Sequence, residues 1–281
     1  MKNKYLLLLV LLLCLVGTTT GQKTQPLVIL HTNDTHSQIE PTDSDASRNP
    51  DMGGYARRLG VINSIRSQEE NVLLVDAGDF SQGTPYYNFF SGRVEVKGYN
   101  MMQYDALTLG NHEFDNGMDS LSAILSLKNF PVVVSNYEVS ESKIKDFVKP
   151  WFIVKKGKLR IGILGLGVNP KGLVMEKNYE GINYKDPVET AVEVSDFLKN
   201  KKKCDVIVCL SHLGSDSTSL AVNDFTIARA TRYIDVIIGG HSHSMLENVK
   251  TTNAAGNKVV IAQMAKSGLY LGRIDLEFTR K

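Results

Sequence analysis

The sequence predicts a layered α/β fold with mixed sheets. Two observations carry this: short apolar strands alternate with helical stretches through most of the chain, and strands alone close it. A third concerns position. Histidines, aspartates and an asparagine stand directly after apolar runs, where open α/β sheets bind their ligands beyond the carboxyl ends of the strands.

Residues 26–30 form an apolar strand that runs into His31-Thr32-Asn33-Asp34. A polar loop at 41–51 precedes a helix at 55–68. Residues 72–75 are a buried strand ending in Asp76-Ala77-Gly78-Asp79, and 106–109 another, ending in Gly110-Asn111-His112. A helix at 118–127 and a strand at 132–134 follow. Residues 152–154 and 159–164 flank Lys156-Gly157 and read as a hairpin. Helical periodicity covers 188–200. Strands at 206–210 and 234–238 enter Ser211-His212 and Gly239-Gly240-His241-Ser242-His243. Strands at 259–262 and 271–278 complete the pattern. In the last, Ile274, Leu276 and Phe278 alternate with Arg273, Asp275 and Glu277, the mark of a half-exposed strand.

Composition narrows the function. Hydrophobic residues at 42% and charged residues at 22% are those of a globular chain, which excludes disorder. Three cysteines exclude a disulfide scaffold. Cys204 and Cys209 lie five residues apart on one predicted strand, about 16 Å. That is beyond the roughly 7 Å a disulfide spans, so both are expected free and buried. A net charge of +2 implies no strongly basic surface, though an even average can hide a local patch, and no nucleic-acid partner is expected.

At the N-terminus, Lys2 and Lys4 precede an apolar run at 5–16 and then Gly17-Thr18-Thr19-Thr20-Gly21. This order reads as a signal peptide over 1–21, too short for the span of about 20 apolar residues a membrane needs. Its removal takes two lysines and no acid, leaving the mature chain formally neutral. Cys14 follows Leu11-Leu12-Leu13, a loose likeness to a lipoprotein box with Leu13 where a small residue is expected. It is either a lipid anchor or an apolar residue of a cleaved signal. Both readings place the mature domain outside the cytoplasm, periplasmic or secreted. No linker interrupts 22–281, which is expected to be one domain.

Five histidines, His36, His112, His212, His241 and His243, follow predicted strands, with Asp34, Asp79 and Asn111 in equivalent places. Imidazole and carboxylate suit zinc, manganese or iron. Each motif alone has a plainer explanation: Asp34-x-His36 a turn, Asp79 a helix cap, His212 a core histidine, Asn111 a turn cap. Their coincidence at strand ends outweighs these. Four histidines, two aspartates and an asparagine are too many for one tetrahedral ion and enough for two that share a carboxylate.

Together, Asp34-x-His36, Gly78-Asp79-x-x-x-Gly83, Gly110-Asn111-His112-Glu113-x-Asp115, Ser211-His212 and Gly240-His241-x-His243 resemble the full motif set of the calcineurin-like metallophosphoesterases. Residues 29–36 and 111–115 resemble, in their wording, the catalytic domain of the secreted bacterial 5′-nucleotidase family. The resemblance implies a four-layer α/β/β/α sandwich with two mixed β-sheets. It assigns Asp34, His36, Asp79 and His243 to one divalent ion. It assigns Asp79, Asn111, His212 and His241 to a second, with Asp79 bridging. It makes His112 catalytic and Asp115 its orienting partner. Ions about 3.5–4 Å apart acidify a shared water enough to give hydroxide near neutral pH, which attacks phosphorus in line.

The expected function is a two-metal phosphoester hydrolase of the 5′-nucleotidase type. A 2′,3′-cyclic nucleotide phosphodiesterase or a nucleotide-sugar diphosphatase is the alternative. The resembled family carries a C-terminal nucleotide-specificity domain, and this sequence stops at Lys281 without one. Three explanations stay open: a partner chain completes the substrate site, which calls for an exposed apolar or aromatic patch at the mouth; the lone domain acts on broader phosphoesters; or the sequence is a piece of a longer one. Asn33 and Asp76 are expected to fix turns, His31 to be structural and Glu113 to sit on a solvated loop. Tyr86, Tyr87, Phe89 and Phe90 line either a buried helix face or a base-binding cleft.

Overall fold

The computed structural model describes residues 24–216 and 221–279. The expected signal peptide and Cys14 lie outside the described residues. The elements, in chain order, are β1 (Thr24–Thr32), α1 (Tyr55–Gln68), β2 (Val72–Asp76), α2 (Pro85–Phe90), α3 (Arg93–Met102), β3 (Ala106–Leu107) and α4 (Gly117–Leu125). Then come β4 (Val132–Val133), β5 (Tyr137–Glu138), β6 (Val148–Lys149), β7 (Trp151–Lys156), β8 (Leu159–Leu166), β9 (Asn183–Tyr184) and α5 (Pro187–Asp196). The chain continues through β10 (Val206–Ser211), α6 (Asp224–Ala230), β11 (Val236–Gly239), β12 (Met245–Thr252), β13 (Lys258–Met264) and β14 (Gly272–Thr279).

Two six-stranded sheets result, in the orders β14-β1-β2-β3-β4-β6 and β12-β13-β11-β10-β8-β7. Each has a parallel interior. The antiparallel strands β14, β12 and β7 lie at edges. The interior strands are near-continuous apolar runs because both their faces are covered; all five residues of β2 are buried. At the edge, β14 turns Arg273, Asp275 and Glu277 to solvent, charges that protect its unpaired side from other strands.

Strand alternation sorts the core into layers. Leu27, Ile29, Leu73 and Val75 of the first sheet pack against Ile161, Ile163, Val206, Val208 and Ile238 of the second. The intervening residues face outward. Val28, Leu30 and Leu74 pack with Ile62 of α1, Tyr99 of α3 and Leu121 of α4. Ile207, Cys209 and Ile237 pack with Ala191 of α5 and Ile227 of α6. This is the expected α/β/β/α sandwich. Each such apolar side chain contributes about 1.5–3 kcal/mol through burial.

Several details differ from the sequence reading. The helix expected over 188–200 ends at Asp196 and continues as a wider turn, Phe197–Lys201. The strand expected at 106–109 pairs only over two residues, because the chain turns away to present Asn111. Cys204 precedes β10 instead of lying on it, and both it and Cys209 are free and buried. Among the described residues, no helix is long and apolar enough to cross a membrane.

Candidate metal centre

The carboxyl ends of β1 and β2 deliver Asp34, His36 and Asp79, and the segment after β3 delivers Asn111 and His112. From the other sheet, β10 delivers His212 and β11 delivers His241 and His243. The two sets meet over the rim of the sandwich. One donor atom each from Asp34, His36 and His243 lies within 4.8 Å of the others, and the same holds for Asp79, His212 and His241. Asn111 Oδ1 is 3.0 Å from His241 Nδ1.

The backbone is strained where these residues sit. Asp34, His36, Asp79, His241 and His243 all have positive φ, between 46° and 70°. Side-chain-bearing residues adopt this left-handed region at a cost, and such strain clusters at functional sites. Gly110 is required here for space, since a Cβ would collide with Asp79 Oδ1.

The donors are aimed as a cation would need. His212 Nδ1 donates to the Ala77 carbonyl at 2.7 Å, which leaves Nε2 free to accept. That Nε2 is buried with no hydrogen-bond partner, although Asp79 Oδ2 stands 3.0 Å away. His36 Nε2 and His243 Nε2 face each other at 3.0 Å, and His243 Nε2 is 3.4 Å from Asp34 Oδ1. One ring can donate its N–H to the other's lone pair, and with Asp34 the pair presents three donor atoms at one place. Electrostatics agree. Burial works against charge on His212, but the Asp79 carboxylate outweighs it and pushes the imidazole up to about 10, so a proton on Nε2 takes the place that a cation would fill. Burial likewise opposes ionisation of Asp79, yet His212 holds that carboxyl well below its usual range. Burial pushes His36 and His241 down, toward the neutral form that binds metal. The residues therefore fit divalent cations.

His112 stands beside these clusters. Its ring centroid is 5.4 Å from that of His36. Its Nδ1 is 2.8 Å from Asp115 Oδ2, a contact that raises its pKa. Its backbone N–H donates to Asp79 Oδ1 at 2.9 Å. With His36 and His243 it lines a cleft of about 290 Å³ that Gln38, Gln82, Thr84, Lys266 and Ser267 also border. Lys266 and Ser267 escaped the sequence reading. The same strand-end rule points to them, since they follow β13, and Ser267 N–H donates to the Asp34 carbonyl at 2.7 Å.

Three residues differ from expectation. Glu113 is not on a solvated loop. It is 3% exposed and accepts from Asp79 N, Ser81 N and Gly110 N at 2.7–3.0 Å, binding the loops after β2 and β3 together. Glu113→Ala leaves three buried donors unmatched. It is expected to destabilise the protein by about 3 kcal/mol or more, read as a fall in the denaturant midpoint. Phe89 and Phe90 do not form a buried helix face: they are 80% and 47% exposed, and only Tyr87 of α2 is buried. Asn33 and Asp76 do brace turns. Asn33 Nδ2 donates to Asp34 Oδ2 at 2.6 Å, and Asp76 accepts from Gly78 N at 2.9 Å. His31 is fully buried and belongs to neither cluster.

Comparison with known proteins agrees with this geometry. The family model for calcineurin-like phosphoesterases matches residues 27–245. A snake venom 5′-nucleotidase from Crotalus adamanteus is 34% identical over 91% of this chain, which spans 46% of the venom protein. The crystal structure of a 5′-nucleotidase precursor from Thermus thermophilus superposes with a TM-score of 0.82 at 32% identity. It covers 90% of this chain and 52% of its own. A Haemophilus influenzae NAD nucleotidase gives 0.80 at 27% identity, over 92% of this chain and 48% of its own. The chain thus spans about half the length of these relatives.

Proposed function

Since the chain belongs to the calcineurin-like phosphoesterase family, we propose that it is a two-metal phosphohydrolase acting on nucleotides outside the cytoplasm, as a 5′-nucleotidase does. The observation that carries this is the meeting of two three-donor clusters on one rim beside the His112–Asp115 pair. Asp34, His36, Asp79 and His243 would hold one ion, and Asp79, Asn111, His212 and His241 the other. Mixed nitrogen and oxygen donors favour manganese, zinc or iron. Bound ions supply an acidified water and neutralise charge on the phosphoryl oxygens. The chain's own residues do the rest. Asp115 holds His112 with one ring nitrogen occupied, so its Nε2 is the atom that can carry a proton toward the leaving oxygen. Glu113 and Gly110 fix the approach of His112 to Asp79, which sets the phosphoryl position.

A 2′,3′-cyclic nucleotide or a nucleotide sugar would meet the same groups. A second reading, that nucleotide recognition is completed by another domain or chain, has its own support. The exposed Phe89 and Phe90 follow closely on Thr84, which lines the cleft. The signal at 1–21 and the choice between anchor and cleaved signal at Cys14 belong to this reading of location.

The test is phosphate release by the manganese-loaded chain from AMP, a 2′,3′-cyclic nucleotide, a nucleotide sugar and an aryl phosphate. Selective AMP hydrolysis is the expected result. Aryl phosphate hydrolysis with no nucleotide preference supports completion by a partner. No hydrolysis of any of them sinks the hydrolase reading.

A further inference from the structure

Gln263, near the end of β13, has no part in the ligand set, yet one fully buried amide brackets the turn that carries both His241 and His243. Its Nε2 donates to the Gly240 carbonyl at 3.0 Å, immediately before His241. Its Oε1 accepts from Ser244 N at 2.5 Å, immediately after His243. The same oxygen accepts from Ser242 Oγ at 3.1 Å, the residue between them. Nε2 also reaches Ser215 Oγ at 3.2 Å, which joins the turn to the segment after His212. The backbone partners fix the amide's orientation: a carbonyl can only accept and an N–H can only donate.

This turn needs holding. His241 and His243 have φ of 70° and 52°, both in the left-handed region. Such residues persist only where the surroundings over-determine them. Asp34 contributes from the other side, accepting from His241 N at 3.0 and 3.1 Å. Gln263 grips the turn at both ends. The two histidines also belong to different clusters, His243 with Asp34 and His36, His241 with Asp79 and His212. The geometry of one turn therefore sets where both clusters lie relative to each other.

We propose that Gln263 is a positioning residue that fixes the spacing of the two metal sites by clamping the His241–His243 turn. The proposal rests on the two-metal reading above. Leucine and methionine offer neither bond, and only the amide supplies a donor to the Gly240 carbonyl and an acceptor to Ser244 N at any pH.

The test is manganese binding by the full chain, stripped with chelator, as wild type, Gln263→Leu and Gln263→Met. Calorimetry gives affinity and stoichiometry, and electron paramagnetic resonance reports the magnetic coupling between paired Mn²⁺ ions. The wild type is expected to bind two coupled ions. Gln263→Leu is expected to lose about 10–100-fold in affinity at both sites, the usual cost of removing a group that orients ligands, and to alter the coupling. A folded Gln263→Leu with wild-type affinities and coupling overturns the proposal, since a merely structural role would lower the melting temperature alone. Should Gln263→Leu fail to fold, Gln263→Met, which keeps the chain length and loses both bonds, decides: weakened binding at both sites supports the proposal, and unchanged binding overturns it. A wild type that takes up fewer than two ions overturns the two-metal reading and the proposal with it. That result is distinct from a two-ion wild type whose variants match it.

Discussion

Asp79→Ala is expected to reduce phosphate release to background and to weaken both ions at once. The loss should exceed the 10²–10³-fold that removing one transition-state donor costs, on the order of 10³ or more. The reason lies in the two oxygens. Oδ2 stands 3.0 Å from His212 Nε2, within one cluster, while Oδ1 accepts the backbone N–H of His112. The carboxylate is also the negative charge that most stabilises the protonated forms of His212 and attracts His36. Without it, the four histidines of the two clusters keep only the Asp34 carboxylate. Metal content by elemental analysis, with phosphate release from an aryl ester, checks this. Near wild-type turnover would sink the bridging assignment. Asp79→Asn separates the two contributions, because it keeps an acceptor for His112 N–H and removes only the charge.

His112→Ala is expected to slow turnover by about 10²–10⁴ while both ions stay bound, as loss of a general acid does. The ring is half-exposed at the cleft, and Asp115 at 2.8 Å raises its pKa, so the protonated form is stabilised where an alkoxide would leave. A proton matters less to a leaving group that is already a good one. The deficit should therefore be largest for alkyl esters such as AMP and shrink along a series of aryl phosphates of increasing acidity. A deficit that stays constant along that series would argue against proton donation. Loss of metal would instead move His112 among the ligands.

The clustered residues were readable because each stands just past the end of an apolar strand, with a type that imidazole or carboxylate chemistry can use. The layering was readable because β2 and β10 are continuous apolar runs and β14 alternates. Other elements carried weaker signals. Only two residues separate α2 from α3, Ser91 and Gly92 at φ of 51° and 89°, and Gly98 lies inside α3. Strand β12 is largely exposed and irregular between Leu246 and Val249, so its polar residues conceal the period of two. Glu113 reads as solvated because the three N–H groups that claim it belong to segments up to 34 residues away. Gln263 is hidden for the same reason: its partners lie on another loop, and nothing local marks the amide as buried.

Each three-donor cluster draws on both sheets. Asp34 and His36 come from the first sheet and His243 from the second, while Asp79 comes from the first and His212 and His241 from the second. An ion held by either cluster would act as a rivet through the sandwich, and its affinity would enter the folding equilibrium. At free metal one hundred times the dissociation constant, each site adds about 2.7 kcal/mol to the folded state. Metal supply would then govern how long the protein survives as well as how fast it works.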